Sequence, residues 1–348
     1  MKAVTYRGAR EVAVEDVPEP RLEEPGDALV RVTCCGICGS DLHIYHGQIP
    51  GMIPGFVCGH EFTGVVEETG PGVRGFRPGD RVVGTFHVAC GTCRACRRGA
   101  YNQCVRYGVF GYGIAMGSLA GSQAEYVRVP HADVNLRRIP DELDDEQALF
   151  CGDVLTTAYG ALRNAGLQPG ETVAVIGCGP VGLMAVQSAF VLGAARVFAI
   201  DLLRDRAEMA ERLGAVPIVA GESHPVSRVN QLTGGEGADV VIEAVGGPRT
   251  VALAFELVRG GGRIVALGVT TAESFAFPLG TGLTRDISFR IGLANIHRDI
   301  DATLALVAAG RLDPTAIVSH RLPLSEAPLG YRLFDEREAM KVLLLPGQ

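Results

Sequence analysis

The chain has 348 residues, 47% of them hydrophobic and 20% charged, the make-up of a globular protein long enough for two domains and not of a disordered or fibrous one. Its net charge of −7 excludes the basic footprint of a nucleic-acid-binding protein, and it holds no apolar run of the roughly 18 residues that a membrane helix needs. Arginine carries nearly all the positive charge, because lysine occurs only at Lys2 and Lys341.

Met1-Lys2-Ala3-Val4-Thr5-Tyr6 lacks the apolar core of a signal peptide and reads as a first strand. Residues 1 to about 150 are rich in β-branched residues, glycine and proline. Alternating runs such as Ala28-Leu29-Val30-Arg31-Val32 and Gly64-Val65-Val66-Glu67-Glu68 predict strands. Glu24-Pro25-Gly26, Gly70-Pro71-Gly72 and Arg77-Pro78-Gly79-Asp80 predict turns. The pattern is that of a small β-barrel.

Within this region Cys38 and His43 bracket a serine, Ser40, and an aspartate, Asp41, and His60 follows with Glu61 beside it. Thiolate and imidazole suit zinc, and two or three such ligands leave a position open for substrate. Cys90, Cys93, Cys96 and Cys104 then follow at the spacing of a closed tetrahedral site, which staples a loop and has no vacancy for catalysis. Four of ten cysteines at metal spacing, with no signal peptide, point to a reducing cytoplasm.

From about Ala158 strand and helix patterns alternate. Thr172–Ile176, Ala195–Ile200, Val240–Glu243 and Arg263–Leu267 read as buried parallel strands, with helices over Gly182–Leu192, Arg204–Leu213 and Arg249–Val258. This predicts a doubly wound α/β domain. The first strand runs into Gly177-Cys178-Gly179-Pro180-Val181-Gly182, the dinucleotide fingerprint. Gly177 serves the tight turn, Gly179 the approach of the pyrophosphate, and Gly182 the packing of helix on strand. The helix that Pro180 and Val181 open offers its free amides to the phosphates. Asp201, at the end of the second strand, suits the ribose hydroxyls of NAD and repels the 2′-phosphate of NADP, while Arg206 is near enough in sequence to reach the same ribose. After about Asn295 shorter elements return, ending on the apolar strand Val342-Leu343-Leu344-Leu345.

Cys38 to His43, Gly59-His60-Glu61, the four-cysteine lobe, Gly177 to Gly182 and Gly237-Ala238-Asp239-Val240-Val241-Ile242-Glu243 together resemble the zinc-dependent alcohol dehydrogenases of the medium-chain dehydrogenase/reductase superfamily, in the same order and over nearly the whole chain. The resemblance implies a GroES-like β-rich catalytic domain over residues 1–154, an inserted Rossmann NAD-binding domain over 155–294, and a C-terminal part, 295–348, that completes the catalytic domain. It also implies an active-site cleft between the two domains. Cys38 and His60 become the first two ligands of a catalytic zinc. Many family members place the third ligand four residues before a Thr-Gly-Tyr-like segment, here Thr157-Ala158-Tyr159, which selects Asp153, with Cys151 as the alternative. Cys90, Cys93, Cys96 and Cys104 become the structural-zinc ligands.

Ser40 resembles the hydroxyl that takes the substrate proton, and His43 the outer imidazole that passes it towards solvent. Asp41 becomes a supporting partner, and Glu61 the carboxylate beside the metal that can exchange onto it. Phe86 resembles a wall of the substrate pocket. Leu267, Val269 and Leu293 resemble the segments that hold the nicotinamide carboxamide, and Lys341 stands where a basic residue lies near the pyrophosphate. Gly39 departs from members that carry a basic, phosphate-contacting side chain there. The activity implied is hydride transfer between a small-molecule alcohol and NAD, giving an aldehyde or ketone, with two zinc ions per chain. A cytoplasmic homodimer or homotetramer is implied, with Ile287-Ser288-Phe289-Arg290-Ile291 as a candidate edge. Polyol, threonine and formaldehyde-type dehydrogenases are alternatives in the same superfamily. A non-catalytic zinc- and nucleotide-binding protein is the alternative outside it, against which Ser40 and His43 speak.

Overall fold

The run beginning Ala28-Leu29-Val30 continues beyond its alternating part, through Cys34-Cys35-Gly36, to form the ten-residue strand Ala28–Ile37. In the computed structural model, which describes residues 1–347, this strand organises a seven-stranded sheet. Phe62–Thr69 pairs antiparallel along one side of it and is followed outward by Arg81–Gly84 and Leu136–Arg138. On the other side Tyr126–Val129 pairs with its first half and Val342–Leu345 with its second, and His320–Pro323 lies outside Val342–Leu345. Val30, Val32, Val66, Val82 and Val83 fill the interior, each buried side chain contributing about 1.5–3 kcal/mol. The sheet belongs to a compact unit formed by Met1–Thr156 and the segment from Asn295 onward.

The second unit is Thr157–Ala294. Its sheet has the order Val216–Val219, Arg196–Asp201, Thr172–Ile176, Ala238–Glu243, Val258–Ala266, Ser288–Ile291, every pair parallel. This is the Rossmann order, in which ligands bind outside the carboxyl ends of the strands. Ala174, Phe198, Val241, Phe255 and Ile264 anchor its core. The helix Pro180–Val191 buries Leu183, Met184, Ala185, Val186 and Ala189.

The local pattern and the structure differ at two places in this unit. The strand Val216–Val219 and helix Pro225–Leu232 escape the pattern because Pro217 interrupts the strand signal and the helix is short and polar. The strand expected at Arg263 begins at Val258, and the register shift between Ala238 and Val240 of its partner absorbs Gly260-Gly261-Gly262. Ser288–Ile291 lies at the sheet edge. Among the described residues no helix is long and apolar enough to cross a membrane.

Candidate active site and metal centres

The end of the strand Ala28–Ile37 delivers Cys38, and the five-residue helix Asp41–Tyr45 follows at once. Ser40 takes the N-cap position, yet its hydroxyl makes no capping bond, although serine there ordinarily caps. Its Oγ lies instead 3.3 Å from His60 Nε2. Asp153 Oδ2 is 3.3 Å from the same Nε2 and 3.5 Å from Cys38 Sγ. The donor atoms of Cys38, His60 and Asp153 all lie within 4.8 Å of one another, and all three residues are buried. Cys151 is fully buried but not among the clustered donors, and burial pushes its thiol up to about 12.

This donor set fits a divalent cation. Burial works against a charged His60, but the Asp41 charge and the close contacts with Asp153, Asp41 and Cys38 outweigh it and hold the imidazole well above its ordinary pKa. Burial raises the Cys38 thiol, and Asp153 and Glu61 raise it further. A thiol, an imidazole and a carboxylate thus draw positive charge into one buried place, which a thiolate-tolerant metal such as zinc satisfies.

Support comes from a buried polar network. Asp41 Oδ2 accepts from the Cys38 amide at 2.8 Å, and its Oδ1 is 3.2 Å from His60 Nδ1, an ion-pair contact and not a well-directed hydrogen bond. This orients the imidazole as carboxylates do behind metal-bound histidines. Gln123 Nε2 donates to Gly36 O at 3.0 Å and reaches Asp41 Oδ2 at 3.5 Å, and Tyr331 OH donates to Gln123 Oε1 at 2.8 Å. Gly59 adopts φ +91°, and a Cβ there would meet the Gln123 amide carbon at 2.8 Å. Phe86 and Tyr112 lie edge-on to His60, with ring centroids at 6.1 and 5.7 Å. Nothing in the local sequence marks Gln123 or Tyr331, whereas Tyr112 stands between two glycines.

His43 is half-buried and its Nδ1 lies 2.8 Å from Gln48 Oε1. Donation by Nδ1–H to that amide oxygen leaves Nε2 as the free acceptor. No neighbour lies within 4 Å of a Cβ at Gly39, so sterics do not demand glycine there.

Lys341 lies inside the first unit, fully buried, where its Nζ pairs with Glu61 Oε2 and donates to Ile37 O at 3.2 Å. The sheet register explains this: Val342 pairs with Ile37 and Leu343 with Gly36, which sets the preceding lysine beside Ile37 O and the Glu61 carboxylate. A Cβ on Gly36 would collide with the Glu61 carboxylate. Glu61 is thereby held by Lys341 through one of its oxygens.

In the four-cysteine lobe the sulfurs lie within 4.8 Å of one another. Backbone amides point at them: Cys93 N at Cys90 Sγ (3.4 Å), Cys96 N at Cys93 Sγ (3.5 Å), and Cys90 N and Arg106 N at Cys104 Sγ (3.2 and 3.3 Å). Burial works to raise the Cys90 thiol, but hydrogen bonds from Thr92 and Cys93 bring it down to about 6. The amide donors also lower Cys93, whereas burial pushes Cys96 up to about 12 and raises Cys104; four sulfurs gathered in this way suit a closed zinc site.

In the Rossmann unit Gly177 has φ +90°, a Cβ on Gly182 would collide with Gly177 O, and Gly179 faces open space except for Arg206 Nη1 at 3.8 Å. Pro180 and Val181 open the helix Pro180–Val191. Asp201 accepts from Cys178 N at 2.7 Å and Leu203 N at 2.9 Å, which fixes the carboxylate at the end of its strand. The Leu267 amide is tied to Glu243 O at 2.7 Å, and Val269 and Leu293 are exposed.

Comparison with known proteins places this geometry. Residues 24–141 match the alcohol dehydrogenase GroES-like domain and residues 180–309 the zinc-binding dehydrogenase domain. The chain is 40% identical to an uncharacterized zinc-type alcohol dehydrogenase-like protein, AdhB, of Bacillus subtilis (strain 168), with 99% of this chain and 100% of the relative aligned. The alcohol dehydrogenase TADH from Thermus sp. ATN1 superposes with a TM-score of 0.97 at 58% identity, over 99% of this chain and 100% of that one. A solved NAD-dependent alcohol dehydrogenase superposes with a TM-score of 0.88 at 32% identity over 100% of both chains. The chain belongs to the zinc-type alcohol dehydrogenases of the medium-chain dehydrogenase/reductase superfamily and is a zinc-dependent alcohol oxidoreductase.

Proposed function

We propose that Cys38, His60 and Asp153 hold the catalytic zinc and Cys90, Cys93, Cys96 and Cys104 the structural one. The residues from 1 to 154 and from 295 onward then act as the catalytic domain, and 155–294 as the NAD-binding domain. The observation that carries this reading is the Ser40 hydroxyl, which forgoes its cap and sits 3.3 Å from a nitrogen of the clustered His60. A metal bound by this cluster supplies Lewis-acid polarisation that lowers the pKa of an alcohol hydroxyl. Ser40 accepts the hydroxyl proton, and His43, with Nε2 free, receives it and releases it to solvent. NAD held by the second unit would supply the acceptor for the hydride of the substrate carbon.

Gly177, Gly179, Pro180, Val181 and Gly182 cradle the pyrophosphate, Asp201 holds the ribose and sets a preference for NAD, and Arg206 borders the same loop. Leu267, Val269 and Leu293 receive the carboxamide. Phe86 and Tyr112 beside His60 give the site apolar walls suited to simple alcohols, ahead of polyols or threonine. Exposed Leu279, Leu283 and Ile291 near the edge strand Ser288–Ile291 support a homodimer or homotetramer. Ten cysteines, none of them in a disulfide among the described residues, support a cytoplasmic home.

The test is NADH formation across simple alcohols, sugar alcohols and threonine, for the wild type and Ser40→Ala. Fast turnover of simple alcohols, lowered strongly in the variant with NAD affinity kept, is expected. A variant that turns over like the wild type removes Ser40 from the relay, and no turnover of any alcohol by protein holding two zinc ions overturns the whole reading.

A further inference from the structure

Tyr112 lies between Gly111 and Gly113, both in the left-handed region at φ +70° and +72°. A Cβ at Gly111 would come within 2.6 Å of Gly59 N and 2.7 Å of Gly59 O, and one at Gly113 within 2.8 Å of Gly51 O and of Met52 Sδ. The tripeptide is therefore pressed against the backbone that leads directly into His60, in a conformation that only glycine on both sides adopts without strain. A turn this constrained delivers one side chain to one place.

That side chain reaches two parts of the site. Its ring stands at 72° to the His60 imidazole, with centroids 5.7 Å apart. Its hydroxyl donates to the carbonyl oxygen of Ser40 at 2.7 Å. The same oxygen also accepts from His43 N at 3.2 Å, so the Ser40 carbonyl is held from two directions, once from its own helical turn and once across the site. Tyr112 is 8% exposed, and its bond to Ser40 is partly buried.

Ser40 needs such a hold. Its hydroxyl makes no capping bond, and His60 Nε2 is the contact it keeps. The helix behind it has five residues, too few to be stiff alone. A proton-accepting hydroxyl displaced by a fraction of an ångström loses its alignment with the substrate oxygen.

We infer that Tyr112 is the positioning residue for Ser40, gripping the serine carbonyl while its ring rests on the metal-binding His60, so that the two keep a fixed spacing. The inference rests on the reading of Ser40 as proton acceptor. Tyr112 does not take the proton; its hydroxyl is spent on the Ser40 carbonyl.

A double-mutant cycle with Tyr112→Phe and Ser40→Ala separates the inference from the reading beneath it. Tyr112→Phe keeps the ring and both glycine turns and removes one hydrogen bond. It should lower kcat about tenfold, with zinc content and NAD affinity as in the wild type, and should raise the solvent deuterium isotope effect on kcat. In the Ser40→Ala background the same substitution should cost nothing further. An equal cost in both backgrounds, or a Tyr112→Phe protein with wild-type kcat and isotope effect, overturns the inference while the relay stands. A Ser40→Ala protein with wild-type turnover overturns the relay, and the inference with it. A Tyr112→Phe protein that loses zinc would show the hydroxyl holding the metal centre and not Ser40 alone, and overturns the inference as well.

Discussion

Lys341 and Glu61 form an ion pair in which both side chains are essentially inaccessible to solvent, at 0% and 1% exposure. Gly36 leaves the space that the carboxylate occupies. A carboxylate buried beside Asp153 stays buried only because a permanent cation faces it. Replacing Lys341 by Met removes that cation and leaves the carboxylate alone, so stability to urea should fall by about 3–5 kcal/mol. The double variant Lys341→Met/Glu61→Gln should recover most of the loss. Equal stability of Lys341→Met and wild type would show that the pair carries no such charge balance.

Asp153, and not Cys151, shares the cluster with Cys38 and His60. Asp153→Asn should therefore reduce bound zinc from two ions per chain towards one, with the ion of the four-cysteine lobe kept. Cys151→Ser should leave both. Metal analysis of dialysed protein checks this, and the opposite pattern would move the third ligand to Cys151.

His297 gives a pH dependence. Its Nε2 lies 2.7 Å from Asn135 Oδ1, whose amide nitrogen donates to Ala89 O, Pro130 O and His131 O. The ring therefore donates through Nε2, and a second proton would have to enter at Nδ1, which is buried without a hydrogen-bond partner among the described residues. Burial, helped by His87 and Arg137, lowers the pKa from 6.5 to about 2. The folded state favours the neutral ring, so this contribution is complete above the unfolded pKa and drains away as the pH falls from 6.5 towards 2. The slope is about 1.4 kcal/mol per pH unit. Denaturation midpoints at pH 7.5 and 5 should fall further for the wild type than for His297→Gln; equal falls would remove His297 as the source.

Leu283 is 81% exposed and Leu279 74% exposed, on the helix that precedes the edge strand Ser288–Ile291. On the proposal that the chain pairs with further copies through this edge, Leu283→Glu should shift the protein towards monomer in sedimentation velocity, with the fold and zinc content intact. An unchanged sedimentation coefficient overturns that assignment of the edge.

The elements with a strong local signal were legible in the sequence. Thr172–Ile176 and Val342–Leu345 occupy the expected spans, because unbroken β-branched or leucine runs bounded by turn residues have no other stable use. Cys38 and His60 were legible as a candidate pair because thiol and imidazole are zinc-type ligands, and the structure gathers them with Asp153. The pairing of Lys341 with Glu61 was not legible, because a lysine's neighbours depend on strand register, which no local pattern encodes. Gln123 and Tyr331 were invisible for a similar reason. Their use lies in hydrogen bonds to Gly36 and Asp41 that close over long sequence distances.

The partners of the buried ion pair stand 280 residues apart, and all of Thr157–Ala294 lies between them. At about 5–20 residues per second, a ribosome delivers Glu61 roughly 15–55 s before Lys341. For that interval Glu61 is without its Lys341 partner, while the second unit comes to have its whole sequence available. The buried Glu61–Lys341 pair can therefore form only after translation has passed the second unit.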